Sequence, residues 1–170
     1  MLDETLMMVL RLVHIGAGVF WVGSMFFLNR FVVPSIQEAG PDGGRFATVL
    51  MRGGRIQRAM ISAAAATIIA GLIMYIGFIV QTDGQWARST EAMGYGVGAI
   101  AAIIAFGLGM IINAPTSRRL QAMAESISGP PSPEQQAEMG RLRGRLASTS
   151  RVILILLTVA IISMSVSRYL

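Results

Sequence analysis

Four stretches of this 170-residue chain are each apolar enough, and nearly long enough or longer, to cross a lipid bilayer. They cover residues 6–33, 59–80, 93–114 and 152–166. About 20 consecutive apolar residues in a helix span the roughly 30 Å of hydrocarbon. Hydrophobic residues make up 54% of the chain and charged ones 14%, the balance of an integral membrane protein rather than a soluble domain. The expected fold is all-α: one transmembrane domain over residues 1–170, an integral membrane four-helix up-and-down bundle. Its helices are expected at about 5–34, 57–80, 93–127 and 133–168, with a cytoplasmic helical hairpin between helices 3 and 4. The first stretch is too long for the ~7–15-residue core of a cleaved signal, and Asp3 and Glu4 stand where a signal has basic residues.

Charge placement predicts orientation. Arg30, Arg45, Arg52, Arg55 and Arg58 lie in or beside the first connection. Arg118, Arg119, Arg141, Arg143, Arg145 and Arg151 flank or fill the third, so eleven of the fourteen arginines fall on one side. That side is expected to be cytoplasmic. The second connection carries only Arg88, beside Asp83 and Glu91. Both termini then face outward, in a multi-pass protein of a bacterial-type inner (cytoplasmic) membrane. Arg11 and Arg168 are the exceptions on the outer side.

Composition also excludes chemistry. With no cysteine, the chain alone forms no disulfide, thiolate metal site or iron–sulfur cluster. All its basic residues are arginine, so there is no lysine for a Schiff base or a proton relay. The net charge of +5 is not gathered on a soluble basic domain, and no nucleic-acid partner is expected. The nine acids lie in loops and at helix ends. A proton pump or ion-coupled transporter normally needs carboxylates at depth.

Local signals fill in the connections. Residues 38–44, Glu-Ala-Gly-Pro-Asp-Gly-Gly, read as a flexible turn. Residues 46–58 read as a basic amphipathic segment interrupted at Gly53-Gly54. The small residues Ala63 to Ala66 permit close helix contact in helix 2. Helix 3 holds Gly94, Gly96, Gly98, Gly107 and Gly109, which serve either close packing or room for a flat cofactor. In the third connection Ser132, Pro133 and Gln135 spell an N-cap, an N1 proline and a capping box.

His14 is the only histidine, and it lies inside the first apolar stretch. An ionisable side chain there is costly, and imidazole is a common ligand of metals and haem iron. At helical spacing Arg11, His14, Gly18, Trp21 and Met25 share one side of the helix. Gly18 leaves a gap one turn from His14, and Arg11, one turn outward, is placed to pair with a propionate. Arg168, at the outer end of helix 4, offers the same charge. Counted from Leu6, His14 lies roughly 12 Å below the outer edge. The plainer reading is a structural histidine that donates to a backbone carbonyl or stacks on Trp21.

Two runs carry a resemblance: Leu12-Val-His-Ile-Gly-Ala-Gly-Val-Phe-Trp-Val-Gly23 and Phe26-Phe-Leu-Asn-Arg-Phe-Val-Val33. This first helix resembles that of copper-resistance D-like membrane proteins and of four-helix haem-containing protoporphyrinogen oxidases. His14, Trp21, Gly23 and Arg30 fit their order, and Arg55-Ile-Gln-Arg58 followed by Gly71 is similar to their second helix. The resemblance covers about the first 80 residues in sequence and the remainder only in topology. It implies a four-helix bundle with haem b bound through His14. The oxidases carry a functional lysine in a later helix, which this chain lacks, and the chain is most similar to a related group of small membrane proteins without an assigned reaction.

A second axial ligand would come from Met74, Met93 or Met164, in the outer halves of helices 2, 3 and 4, or from a partner subunit. Methionine ligation would raise the reduction potential. The leading expectation is a haem-b-binding membrane protein with a redox or electron-transfer role at the outer half of the bilayer. The alternative is a non-catalytic accessory subunit of a larger respiratory or photosynthetic complex, in contact with partner subunits or a second copy. A third is copper transport or resistance, since thioethers suit Cu(I). Met7 and Met8, the methionines nearest His14, diverge around the helix.

Overall fold

The structure, a computed structural model, describes residues 3–127 and 129–170. Among them every regular element is helical. Four helical runs, Glu4–Glu38, Gly40–Gln81, Thr90–Ser126 and Pro133–Tyr169, are each long and apolar enough to cross a membrane. Their surfaces agree: Ile111 is 77% exposed, Val19 69% and Leu12 66%, so large apolar side chains cover the outside of the bundle. Such a surface would associate in water and is at home in hydrocarbon. The architecture is that of a multi-pass membrane protein.

The chain forms two antiparallel hairpins in succession. The first pairs α1 (Glu4–Phe27) with α4 (Arg55–Gln81), by way of α2 (Val33–Glu38) and α3 (Gly40–Met51). The second pairs α5 (Thr90–Leu108) with α7 (Pro133–Val166), by way of α6 (Ala114–Ser126). Contacts within each hairpin are far denser than those between them. One end of the bundle holds the start of α1, the residue 82–89 connection and the C-terminus; Thr90 Oγ1 donates to the Leu170 carbonyl at 2.8 Å there. The opposite end is rich in arginine.

The hairpins share a device. The first helix of each contains a π-helical turn, Leu28–Val32 in one and Gly109–Asn113 in the other. Two residues beyond each lies a proline, Pro34 and Pro115. Proline lacks an N–H, and its ring crowds the carbonyl four residues back, here that of Arg30 or Ile111. Widening the turn relieves that crowding and lets the helix continue. Helix 1 therefore does not stop at Pro34 but runs helically to Glu38.

The turn expected over residues 38–44 is shorter than the sequence implies. Only Ala39 falls outside a helix, and α3 begins at Gly40, with Pro41 in its first turn where a missing N–H costs nothing. Gly53 and Gly54, at φ +70° and +61°, break α3 from α4. In the third connection Ser132 and Gln135 form the capping box. Arg141 grips Glu138 through two bonds of 2.8 and 2.9 Å on the next turn.

The hairpins meet around Trp21 and Met25 of α1, Ala64 of α4, Ala101, Ala102 and Ala105 of α5, and Ile153, Leu157 and Ala160 of α7. Alanines on α4 and α5 leave the space that the indole and the leucine fill. Trp21 meets Phe106 of α5 edge to face, with centroids 6.4 Å apart. This layer lies two helical turns along α1 from His14.

Candidate functional site

The inward stripe of α1 is Met7, Leu10, His14, Gly18, Trp21 and Met25, each buried or half-buried. Arg11 is exposed and stands off that stripe. His14 faces α4, where its Nδ1 lies 2.7 Å from the Thr67 carbonyl oxygen. A carbonyl only accepts, so Nδ1 carries the proton and donates. In the neutral ring the lone pair is then on Nε2. The Thr67 hydroxyl is turned back to the Ala63 carbonyl at 2.8 Å and does not compete.

Gly71 makes this position available. A Cβ at residue 71 would lie 2.8 Å from His14 Cε1 and 2.9 Å from Nδ1, so any side chain there displaces the ring. The contact is reciprocal one turn away. Gly18 of α1 receives Thr67, whose Cγ2 would stand 3.4 Å from a Cβ at residue 18. Two glycines on facing helices thus let the backbones approach, and each takes a side chain from the other helix.

The space at Gly18 is therefore occupied by Thr67, and Trp21 is committed to the core against Phe106. Arg11 and Arg168 are both exposed and have no ion partner among the described residues. Of the three methionines, Met164 fills the notch at Gly98, its Cγ 2.7 Å from where a Cβ would be. Met93 is 57% exposed. Met74, half-buried, lies on α4 one turn beyond Gly71 towards the terminal end. Met7 is half-buried on the His14 stripe, while Met8 is 58% exposed. Among the described residues no three His, Cys, Asp or Glu side chains gather as a metal site. A haem would find one nitrogen donor in this chain, and the donor chemistry fits a single axial position.

Two parts of this arrangement were not visible in the sequence. Thr67 acts through its backbone carbonyl, which no side-chain pattern marks. The second is a cap at the terminal end of the bundle. There the Trp86 ring packs against Tyr75 and Phe78, both at 5.2 Å, and Tyr95 at 6.2 Å. Trp86 Nε1 donates to Glu91 at 3.1 Å, and the Tyr75 hydroxyl donates to the Ala92 carbonyl at 3.2 Å. A tryptophan in a short connection between two apolar stretches is the signal that marks such an interfacial cluster.

Comparison with family models, curated proteins and solved structures finds no match to this chain.

Proposed function

We propose that this chain is a four-helix membrane protein that binds haem b through His14, with a redox or electron-transfer role in the half of the bilayer nearer its termini. One observation carries the reading: the imidazole is fixed through Nδ1 to the Thr67 carbonyl, and Nε2 is left as the ligating atom. Histidines that ligate metals have their other nitrogen held by just such a carbonyl or carboxylate, which sets the ring and raises its basicity. A haem held there would supply one-electron chemistry. Thr67 orients the donor and Gly71 makes room for it. Arg11 and Arg168 offer unpaired charge to acidic groups on the ligand. The resemblance of helix 1 to the copper-resistance D-like and haem-containing oxidase proteins supports the same assignment. The arginine distribution supports a cytoplasmic first and third connection, with both termini outside.

A second reading is favoured by the use of Gly18 and Trp21 in packing. The bundle closes on its own side chains at both positions, as an accessory subunit of a larger complex would. A reduced-minus-oxidised visible spectrum with a pyridine haemochrome assay separates the two. A b-type α band in the wild type that disappears in His14→Ala is the expected result. A featureless spectrum from fully folded wild-type protein, produced with haem in excess, sinks the haem assignment and leaves the accessory subunit.

A further inference from the structure

We infer that the arginine-rich end of the first hairpin holds one anionic phospholipid, its acyl chain in the α2–α3 corner and its phosphate on Arg30 and Arg45. This rests on the membrane placement proposed above and is independent of haem. The corner arises because α3 folds back on α2. Gly43 lies so close to α2 that a Cβ there would overlap the Ile36 carbonyl oxygen. Beside this contact is a cavity of about 450 Å³, walled by Phe27, Phe31, Ile36 and Phe46 and edged by Ser35 and Asp42. Its size falls within the ~300–1,000 Å³ of ligand sites. It lies about 20 Å along α1 from His14 and belongs to a different site.

The walls call for an apolar occupant. Phe27, Phe31 and Phe46 are 58, 60 and 54% exposed, a patch that water would solvate poorly. Counted from Leu6, Phe27 lies about 32 Å down α1, at the edge of the ~30 Å hydrocarbon layer. Acyl chains therefore reach the cavity from one side and headgroups from the other.

Charge selects the headgroup. Residues 28–58 contain five arginines against Glu38 and Asp42. Arg30 directly precedes Phe31 in the chain; it stands outside the cavity lining, is exposed, and has no ion partner among the described residues. Arg45 adjoins Phe46, and its pairing with Asp42, at 3.6 Å between two almost fully exposed groups, is a weak surface contact. Asp42 repels an anion, but Arg45 offsets it and Arg30 remains in excess. A guanidinium fork matches phosphate oxygens, and its aliphatic stem lies along the apolar wall. A zwitterionic headgroup would bring its own cation into this field and bind less well.

The test is lipid retention by the full chain. Protein reconstituted in nanodiscs of mixed phosphatidylglycerol and phosphatidylcholine is extracted, and bound lipid is measured by native mass spectrometry. The expected result is about one phosphatidylglycerol per chain, retained in preference to phosphatidylcholine. Arg30→Gln with Arg45→Gln should lower that retention by at least about tenfold. Phe31→Ser should lower it too, with the helical circular dichroism of each variant unchanged. Arg141→Gln with Arg143→Gln removes the same charge from the other connection and should leave retention as in the wild type. Equal loss in that control, no preference between the lipids, or displacement by inorganic phosphate alone would overturn the site. So would a stoichiometric protein seated on Phe31 and Phe46 in place of lipid. None of these outcomes bears on the haem spectrum.

Discussion

The two hairpins solve one packing problem with different side chains. In the second, Gly94 and Gly98 of α5 take side chains from the helix opposite: Ser167, just past the end of α7, lies over Gly94, and Met164 of α7 lies over Gly98. Ser163 adds a hydrogen bond to the Gly94 carbonyl. In the first, Gly71 of α4 takes His14, which adds a bond to the Thr67 carbonyl. The plan is the same: a glycine notch, a side chain in it, and one side-chain-to-backbone bond across the helices. Serine and methionine perform it in the second hairpin without an ionisable group. Packing therefore does not require imidazole, and placing one in hydrocarbon is costly. The histidine differs from its counterparts in carrying a second ring nitrogen beyond the one bonded to Thr67, and it is this nitrogen that the proposed haem site uses. The second hairpin serves as an internal control for the first.

If the hairpins are separate units, the layer between them should be their strongest dependence on each other. Trp21 is the residue to remove, since it is 6% exposed and reaches Phe106 across the seam. Trp21→Ala should cost about 3 kcal/mol, the lower end of the range for large aromatics because lipid supplies no hydrophobic transfer term. Equilibrium unfolding in mixed micelles, followed by helical circular dichroism, would measure it. A loss well under 1 kcal/mol would mean that the hairpins barely depend on each other.

The glycine notches come next. Gly98→Leu drives new atoms into Met164 and towards the Ala160 carbonyl, 3.2 Å from the position of a Cβ. Overpacking of this kind costs about 1–3 kcal/mol. Gly107→Ala meets nothing within 4 Å and should be neutral or slightly stabilising in the same unfolding assay. If the two variants behave alike, the glycines of α5 are not packing notches, and the comparison with Gly71 fails.

These contrasts also mark what the sequence could reveal. Helix number, the Ser132 cap and, apart from Arg11, the inward face of α1 follow from periodicity and composition, because hydrocarbon leaves the backbone few options. The glycines of the third transmembrane run announced close packing or a cofactor, and only the partner helix decides between them: Gly94 meets Ser167 and Gly98 meets Met164 of the fourth run, while Gly107 and Gly109 meet nothing within 4 Å. Gly18 illustrates the same limit. A gap beside a histidine looks like space for a ligand until the register of α4 brings Thr67 into it. Pro34 misled in the other direction, since a proline read as a stop is absorbed by a π-helical turn. Register between helices is a property of pairs, and one helix's sequence does not contain it.

The smallest effect is the most discriminating. His14→Ala and Ser163→Ala each delete one interhelical bond, worth about 0.6 kcal/mol on average in membrane helices and seldom more than about 1.7. In protein produced without haem the two should cost similar amounts, with His14→Ala slightly worse because the notch at Gly71 is left empty. Produced with haem, the wild type and Ser163→Ala should both gain stability from the bound ligand, and His14→Ala should not. A ligand stabilises only a state that binds it, so this difference isolates the ring nitrogen from the packing. Equal gains in all three proteins would place the haem elsewhere and return His14 to the role Ser163 already plays.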